Sequence, residues 1–360
     1  VIDACDDCLR RTDLLVALCG PIEVEWRRTD RPRSVLAVSD AALLGLDRSG
    51  RAEARYEAFD PEPARRRIAD AGMHAACRCG EEYPHSLRAL ADPPAILHAL
   101  GRLGPVAADH ECAVAMVGAR RPTAYGLEVA RSLSRGIGAS GLSVVSGMAM
   151  GIDSACHEGA LEGHGHTVAV LAGGADIPYP SHKRLVHRRI LAAGGAVVSE
   201  WPPGAGAHRW SFVARNRLIA ALASLTVVVE GTVRSGSLTT AGFAAEAGRG
   251  VAAVPGPVTS RLSEGPNALI ADGADLIAEA GDVLDLMLGP GGRDLVPAAV
   301  TPDLPAPLAA LLRAVEGGRD TPGSLVTARR GVEEVLQGLT RLELEGLVRR
   351  RFDGRYLRVP

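Results

Sequence analysis

Lysine is almost missing from this chain: Lys183 stands alone against 39 arginines in 360 residues. Aromatic residues are equally scarce at 3%, so platforms for stacking bases can be few. Nor is positive charge in excess. A formal net charge of −2 excludes a global positive field as the means of holding nucleic acid and leaves only local patches. No apolar run reaches about 18 residues, so no membrane contact through a spanning helix is expected. Residues 1–8 lack the charged and apolar regions of a secretory signal, and none is expected. Seven scattered cysteines, at 5, 8, 19, 77, 79, 112 and 156, favour a reducing cytoplasm over a disulfide framework. Several chemical signatures are missing too. Without GxGxxG after the first strand a dinucleotide dehydrogenase is disfavoured, and without GxxxxGK[ST] so is a P-loop ATPase; GxSxG and HExxH are absent as well.

What is there reads as a globular chain of two or three domains, with 47% hydrophobic and 23% charged residues. Residues 1–110 carry helical apolar spacing at 14–18, 39–46, 63–71 and 94–103, which predicts a small helical N-terminal region. Over 111–288 the texture changes. Short apolar runs at 113–117, 142–146, 167–171, 196–199, 226–230 and 251–255 alternate with helical segments at 123–138, 181–193, 212–223 and 237–248. Six buried strands alternating with helices predict an α/β domain on a doubly wound parallel sheet. A Pro/Gly-rich stretch at 289–305 reads as a linker. Helices at 308–315 and 332–347, then a strand pair around Asp353 and Gly354, fit a C-terminal winged-helix domain over 306–360.

Ligands of such sheets bind beyond the carboxyl ends of the strands. The loops there are alike in type. They hold Gly-Ala-Arg-Arg-Pro (118–122), Ser146 and Gly147 opening Ser-Gly-Met-Ala-Met-Gly-Ile-Asp, Gly-Gly-Ala-Asp-Ile-Pro-Tyr-Pro (173–180) before Lys183, and Arg-Ser-Gly-Ser-Leu-Thr-Thr-Ala (234–241). Small residues let backbone approach a ligand, and free amides at a helix start favour anions. Arg120, Arg121, Lys183 and Arg234 add charge, so Ser146, Gly147, Ser235, Gly236 and Ser237 read with them as a phosphate-binding rim. Arg215, Asn216 and Arg217 open an apolar helix where acids suit the dipole better, which points to an anionic partner or to an internal ion pair with Glu230 or Asp153. Asp153 and His157, four apart, form an acid/base couple or, more simply, a structural pair. Cys5 with Cys8 (CxxC) and Cys77 with Cys79 (CxC) would hold a structural zinc if the N-terminal helices fold back, with His74 as a substitute ligand; ordinary reduced thiols are the plain alternative. The rim itself calls for no cofactor.

Residues 113–280 also resemble the DNA-processing protein A family (DprA/Smf). The resemblance rests on Val-Gly-Ala-Arg-Arg-Pro, Ser-Gly-Met-Ala-Met-Gly-Ile-Asp-Ser-Ala-Cys-His, Gly-Gly-Ala-Asp-Ile-Pro-Tyr-Pro-Ser-His-Lys-Arg-Leu, Arg-Asn-Arg-Leu-Ile-Ala and Ser-Gly-Ser-Leu-Thr-Thr-Ala, in that order. It implies a Rossmann-like, non-catalytic domain that binds single-stranded DNA and loads the RecA recombinase during natural transformation, in an expected homodimer. It places DNA contacts at Arg120, Lys183, Arg215–Arg217 and Ser235–Ser237, and it likens residues 339–350 to the family's C-terminal winged helix. Two departures stand out: the lead-in to Arg215 at 208–214, which leaves the geometry of the 200–212 loop open, and Glu264. An enzyme of the nucleotide phosphoribohydrolase type shares this sheet but needs a Pro-Gly-Gly loop where Arg-Ser-Gly-Ser stands here. A nucleotide-binding regulatory module is a third reading.

Overall fold

The computed structural model describes residues 2–29, 36–104, 106, 110–295, 304–327, 330–345, 347–350 and 354–358. They divide into two compact units, 1–296 and 297–360. In the first, ten strands form one sheet: β1 (Ile2–Asp3), β2 (His74–Cys77), β3 (Ile96–Gly101), β4 (Ala113–Val117), β5 (Ser143–Ser146), β6 (Thr167–Val170), β7 (Ala196–Ser199), β8 (Leu225–Val228), β9 (Gly250–Ala253) and β10 (Asp275–Leu276). Their spatial order is β1-β2-β3-β7-β6-β5-β4-β8-β9-β10. All neighbours are parallel except the two pairs that β3 makes, with β2 and β7.

The central strands read as continuous apolar runs because both of their faces are covered. Ala113, Ala115 and Val117 of β4 pack with Leu218, Leu222 and Ala241 on one face. Val114 and Met116 pack on the other with Leu133, Ile137, Cys156 and Leu284. Helices Arg209–Ala221 and Gly236–Glu246 therefore line one side, and Ala124–Ala139, Ile152–Glu162 and Ala280–Leu288 the other. This is the doubly wound arrangement. From β4 the chain winds outward through β5, β6 and β7, then returns to place β8 on the other side of β4. The strand order reverses between β4 and β8, and the crevice there is where such sheets bind ligands.

The N-terminal region departs from expectation. It is not only helical, because it adds β1, β2 and β3 to the sheet. The segment expected to be helical at 94–103 contains β3 (Ile96–Gly101), in which Ile96, Leu97, His98 and Ala99 are all buried. Packing on both faces removes the alternation that would mark a strand, and Ile96, Leu97 and Leu100 then mimic helical spacing. The N-terminal helices share cores with the rest of the unit. Leu14, Leu18, Ile22 and Leu43 enclose Trp201 and Trp210, whose rings meet edge-on at 5.5 Å. Burying each such leucine contributes about 1.5–3 kcal/mol. The same contacts fix the 200–212 loop, where Gly204 N also donates to Asp176 at 2.9 Å. Glu264, at the start of helix Glu264–Ala271, sits where a carboxylate complements the dipole.

In the second unit, helices Ala306–Glu316, Pro322–Leu325 and Val332–Leu344 precede an antiparallel pair, β11 (Val348–Arg350) and β12 (Tyr356–Arg358). Leu311, Leu325, Val335, Leu339, Leu342 and Tyr356 form its core. Of the linker expected over 289–305, Gly292–Leu295 is a short 3-10 turn and 296–303 lies outside the described residues, as does Asp353 of the expected hairpin turn.

Candidate nucleic-acid interface

Between the ends of β4 and β8 lies an open cleft of about 670 Å³. Val117 ends β4, Gly118 and Arg120 come from the loop after it, Ala149 from the loop after β5, Asp153 from the helix that follows, and Tyr179 from the loop after β6. Helix Arg209–Ala221 supplies Arg209, Phe212, Arg215 and Asn216, and the start of helix Gly236–Glu246 supplies Ser235, Gly236 and Ser237. Six of the sequence-derived positions thus converge on one cavity: Arg120, Arg215, Asn216, Ser235, Gly236 and Ser237.

Arg215 is the centre of the cleft. It is 4% exposed, and its Nη1 donates to the carbonyl of Gly147 at 2.8 Å and to that of Val170. Its Nε is buried without a hydrogen-bond partner among the described residues. Burial pulls its pKa down to about 10, opposed by the charge of Asp153. Burial likewise pushes the Asp153 carboxyl up, opposed by Arg215. A guanidinium left short of partners in a low-dielectric floor favours an incoming anion. Gly147 leaves room for it, since a Cβ there would lie 2.4 Å from Nη1 of Arg215 and push the guanidinium aside.

The helix start at Ser235 borders the same cleft. Ser235 Oγ caps it by accepting from Leu238 N at 3.4 Å and lies 2.6 Å from Ser237 Oγ. The first amides of a helix have no partner within it and attract anions. Asn216 Nδ2 donates to Gly236 O at 3.1 Å and holds the two helices in register.

The sequence reading missed the aromatic wall. The Phe212 ring lies 5.2 Å from that of Tyr179, and the guanidinium of Arg120 sits 5.3 Å from the Phe212 centroid. Tyr179 is half exposed, and Arg209 is an exposed third cation on the lining. Phe212 and Tyr179 are 33 positions apart, so no local pattern pairs them.

Several expected positions lie outside the cleft, two of them buried in other roles. Arg217 is 1% exposed and faces the core. Its Nη2 donates to Glu200 at 2.7 Å, its Nη1 to the second Glu200 oxygen at 3.0 Å, and its Nε lies 3.0 Å from Asp92. Burial works against this charge, but Glu200 and Asp92 raise its pKa overall. The internal ion pair exists, with partners other than Glu230 or Asp153. Glu230 instead accepts from Thr123 N and Oγ1 at 2.9 and 2.6 Å. Ser146 is fully buried and donates to Met116 O at 2.6 Å, tying β5 to β4. Gly147 is also buried, and serves the site through its carbonyl. Asp153 and His157 are no couple: Asp153 accepts from Ala149 N at 3.4 Å, and His157 Nδ1 lies 2.8 Å from Thr167 Oγ1. Arg121 and Arg234 are exposed outside the lining, and half-buried Lys183 sits in the turn Ser181–Lys183, also outside it.

Comparison with known proteins adds the relationship. The family model for DNA recombination-mediator protein A matches residues 74–288. Protein Smf of Escherichia coli is 36% identical over 276 residues, 74% of this chain and 73% of that one. A DprA-named protein of Mycobacterium tuberculosis is 49% identical over 197 residues, 54% of this chain and 49% of its own, so the chain spans about half the length of that relative. DNA processing protein A of Streptococcus pneumoniae superposes with a TM-score of 0.61 at 30% identity, covering 77% of this chain and 95% of that structure. The Helicobacter pylori protein, described for its single-stranded DNA binding mode, superposes at 0.52 with 29% identity, covering 58% and 94%. With the family model matched across the switch-point sheet and Smf over nearly three quarters of either chain, this chain belongs to the DNA recombination-mediator protein A family.

Proposed function

We propose that this chain is a non-catalytic recombination mediator that holds single-stranded DNA in the switch-point cleft and helps load RecA onto it during natural transformation. The observation that carries the reading is Arg215, buried on the cleft lining and flanked there by Arg120, Arg209 and a helix N-terminus. A phosphate fits that floor, and a base stacks on the wall of Tyr179 and Phe212. Asp153 is the one carboxylate on the lining, beside three arginines. Such a set binds an anion rather than shuttling its protons. The three-helix unit with its β11–β12 pair suits a winged-helix module, and the protein works as a homodimer in the cytoplasm.

Labelled oligo-dT, a matching duplex and free AMP, each titrated without ATP across a salt series, test the reading. Three to five phosphate contacts predict a slope of log K against log salt of about −2 to −3.5. Oligo-dT should bind more tightly than the duplex. A flat salt response, or AMP binding more tightly than the oligonucleotide, would overturn the proposal in favour of a nucleotide site.

A further inference from the structure

The CxC of Cys77 and Cys79 begins 69 positions after the CxxC of Cys5 and Cys8 ends, yet the fold brings all four thiols together. Their Sγ atoms lie within 4.8 Å of one another, and those of Cys8 and Cys79 are 3.8 Å apart. Four thiolates around one zinc at about 2.3 Å stand about 3.8 Å apart along each edge of the tetrahedron. We propose that Cys5, Cys8, Cys77 and Cys79 bind one structural zinc ion that ties the start of the chain to the sheet.

The backbone accounts for the convergence. β1 runs parallel to β2 with Asp3 opposite Ala76, so two residues further on Cys5 emerges level with the turn that carries Cys77 and Cys79. Cys5 then caps helix Asp6–Ala17, which puts Cys8 in its first turn facing the same point. The turn after β2 is tight: Gly80 N donates to Cys77 O at 2.8 Å, and Arg78 N to Ala95 O at 3.0 Å. The Asp3 carboxylate packs against Gly80, so a side chain there would have to displace it. Both cysteine pairs are thus presented by short, hydrogen-bonded backbone on two separate segments. Thiolates at the start of a helix are also favoured by its amide dipoles.

The chemistry points to zinc in a structural role. Four sulfur ligands complete the tetrahedron and leave no open position for a reacting water. Cys8 and Cys77 are buried while Cys5 and Cys79 reach the surface, so an ion has a path in. The site lies at the β1–β2 end of the sheet, and the switch-point cleft lies at β4 and β8, so the metal takes no part in the proposed DNA contacts. An ion held only by the folded chain adds its binding energy to folding.

The full chain, purified without chelator under reducing conditions, should carry one zinc by native mass spectrometry. Cobalt exchanged into it should show the visible bands of a tetrahedral thiolate site. Cys79→Ser and Cys5→Ser, at the exposed positions, should each lose the metal and lower the melting temperature. Cys19→Ser, at a buried cysteine outside the cluster, should keep it. A zinc-supplied wild-type protein that stays metal-free with all seven thiols titratable would overturn the proposal. So would a mass two hydrogens lower with the cluster thiols blocked, which would mean a disulfide.

Discussion

Arg215 and Arg217 are two positions apart on one helix and have opposite roles. Arg217 is saturated by Glu200 and Asp92, whereas Arg215 has carbonyls on one side and an open cleft on the other. Arg217→Ala should cost about 3–5 kcal/mol of stability in urea melts, because Glu200 and Asp92 would be left charged and buried. Its folded fraction should bind oligo-dT normally. Arg120→Ala should show the reverse, about 1–3 kcal/mol of lost affinity with an unchanged melt. Lys183→Ala, outside the cleft lining, should cost less than about 1 kcal/mol of affinity. From the sequence the arginine pair reads as a helix start, but both lie in the middle of helix Arg209–Ala221, where burial, not the helix dipole, demands acceptors for them. The sequence did not show which arginine meets an internal anion, because Asp92 lies 125 residues from Arg217 and only the fold joins them.

His157 and His98 add a pH dependence. Burial pushes them down from the ordinary 6.5 to about 3 and about 4. The unfolded chain binds a proton at each near pH 6.5, and the folded chain does so only far lower. Their contribution is therefore complete above pH 6.5 and is lost as pH falls toward 4, by up to about 1.4 kcal/mol per pH unit for each histidine. Urea melts across that window should show this slope, reduced in His157→Gln.

Among the elements, the strand-end loops were the most legible part. Glycines, serines and arginines there answer to local demands, close backbone approach and free helix amides, that sequence spacing records. The winding of β4 through β9 was legible because each of those strands carries β-branched valine, which β3 lacks. β3 was not. Its hydrogen bonds run antiparallel to β2 and β7, pairings that nothing within residues 94–103 encodes. The loop that carries Gly147 offers a test at this scale. Gly147→Ala should displace the Arg215 guanidinium and weaken oligo-dT binding by about 1–2 kcal/mol. Equal affinity in that variant would remove Arg215 from the binding floor.

For the whole molecule, the division at 296/297 separates the cleft from the C-terminal unit. Helix Val332–Leu344 and its C-terminal cap carry exposed Glu333, Glu334, Glu343 and Glu345, which repel a phosphate backbone. Arg355, on the expected wing, already pairs with Asp320 at 3.0 Å. Removing residues 302–360 should leave a folded core whose oligo-dT affinity stays within about threefold, under 1 kcal/mol. A tenfold loss with the core intact would make the C-terminal unit a principal DNA site.

Helix Arg209–Ala221 is the crossover that returns the chain from β7 to β8, and it carries both the floor of the cleft and the Arg217 clamp. Its inward face is packed from Trp210 to Ala221, so its amides exchange with solvent only when the sheet itself opens. The helical floor of the cleft is therefore part of the domain's core. On the proposed reading, a phosphate reaching this helix meets an Arg215 already desolvated and fixed by the carbonyls of Gly147 and Val170, so the floor of the cleft costs little ordering on binding.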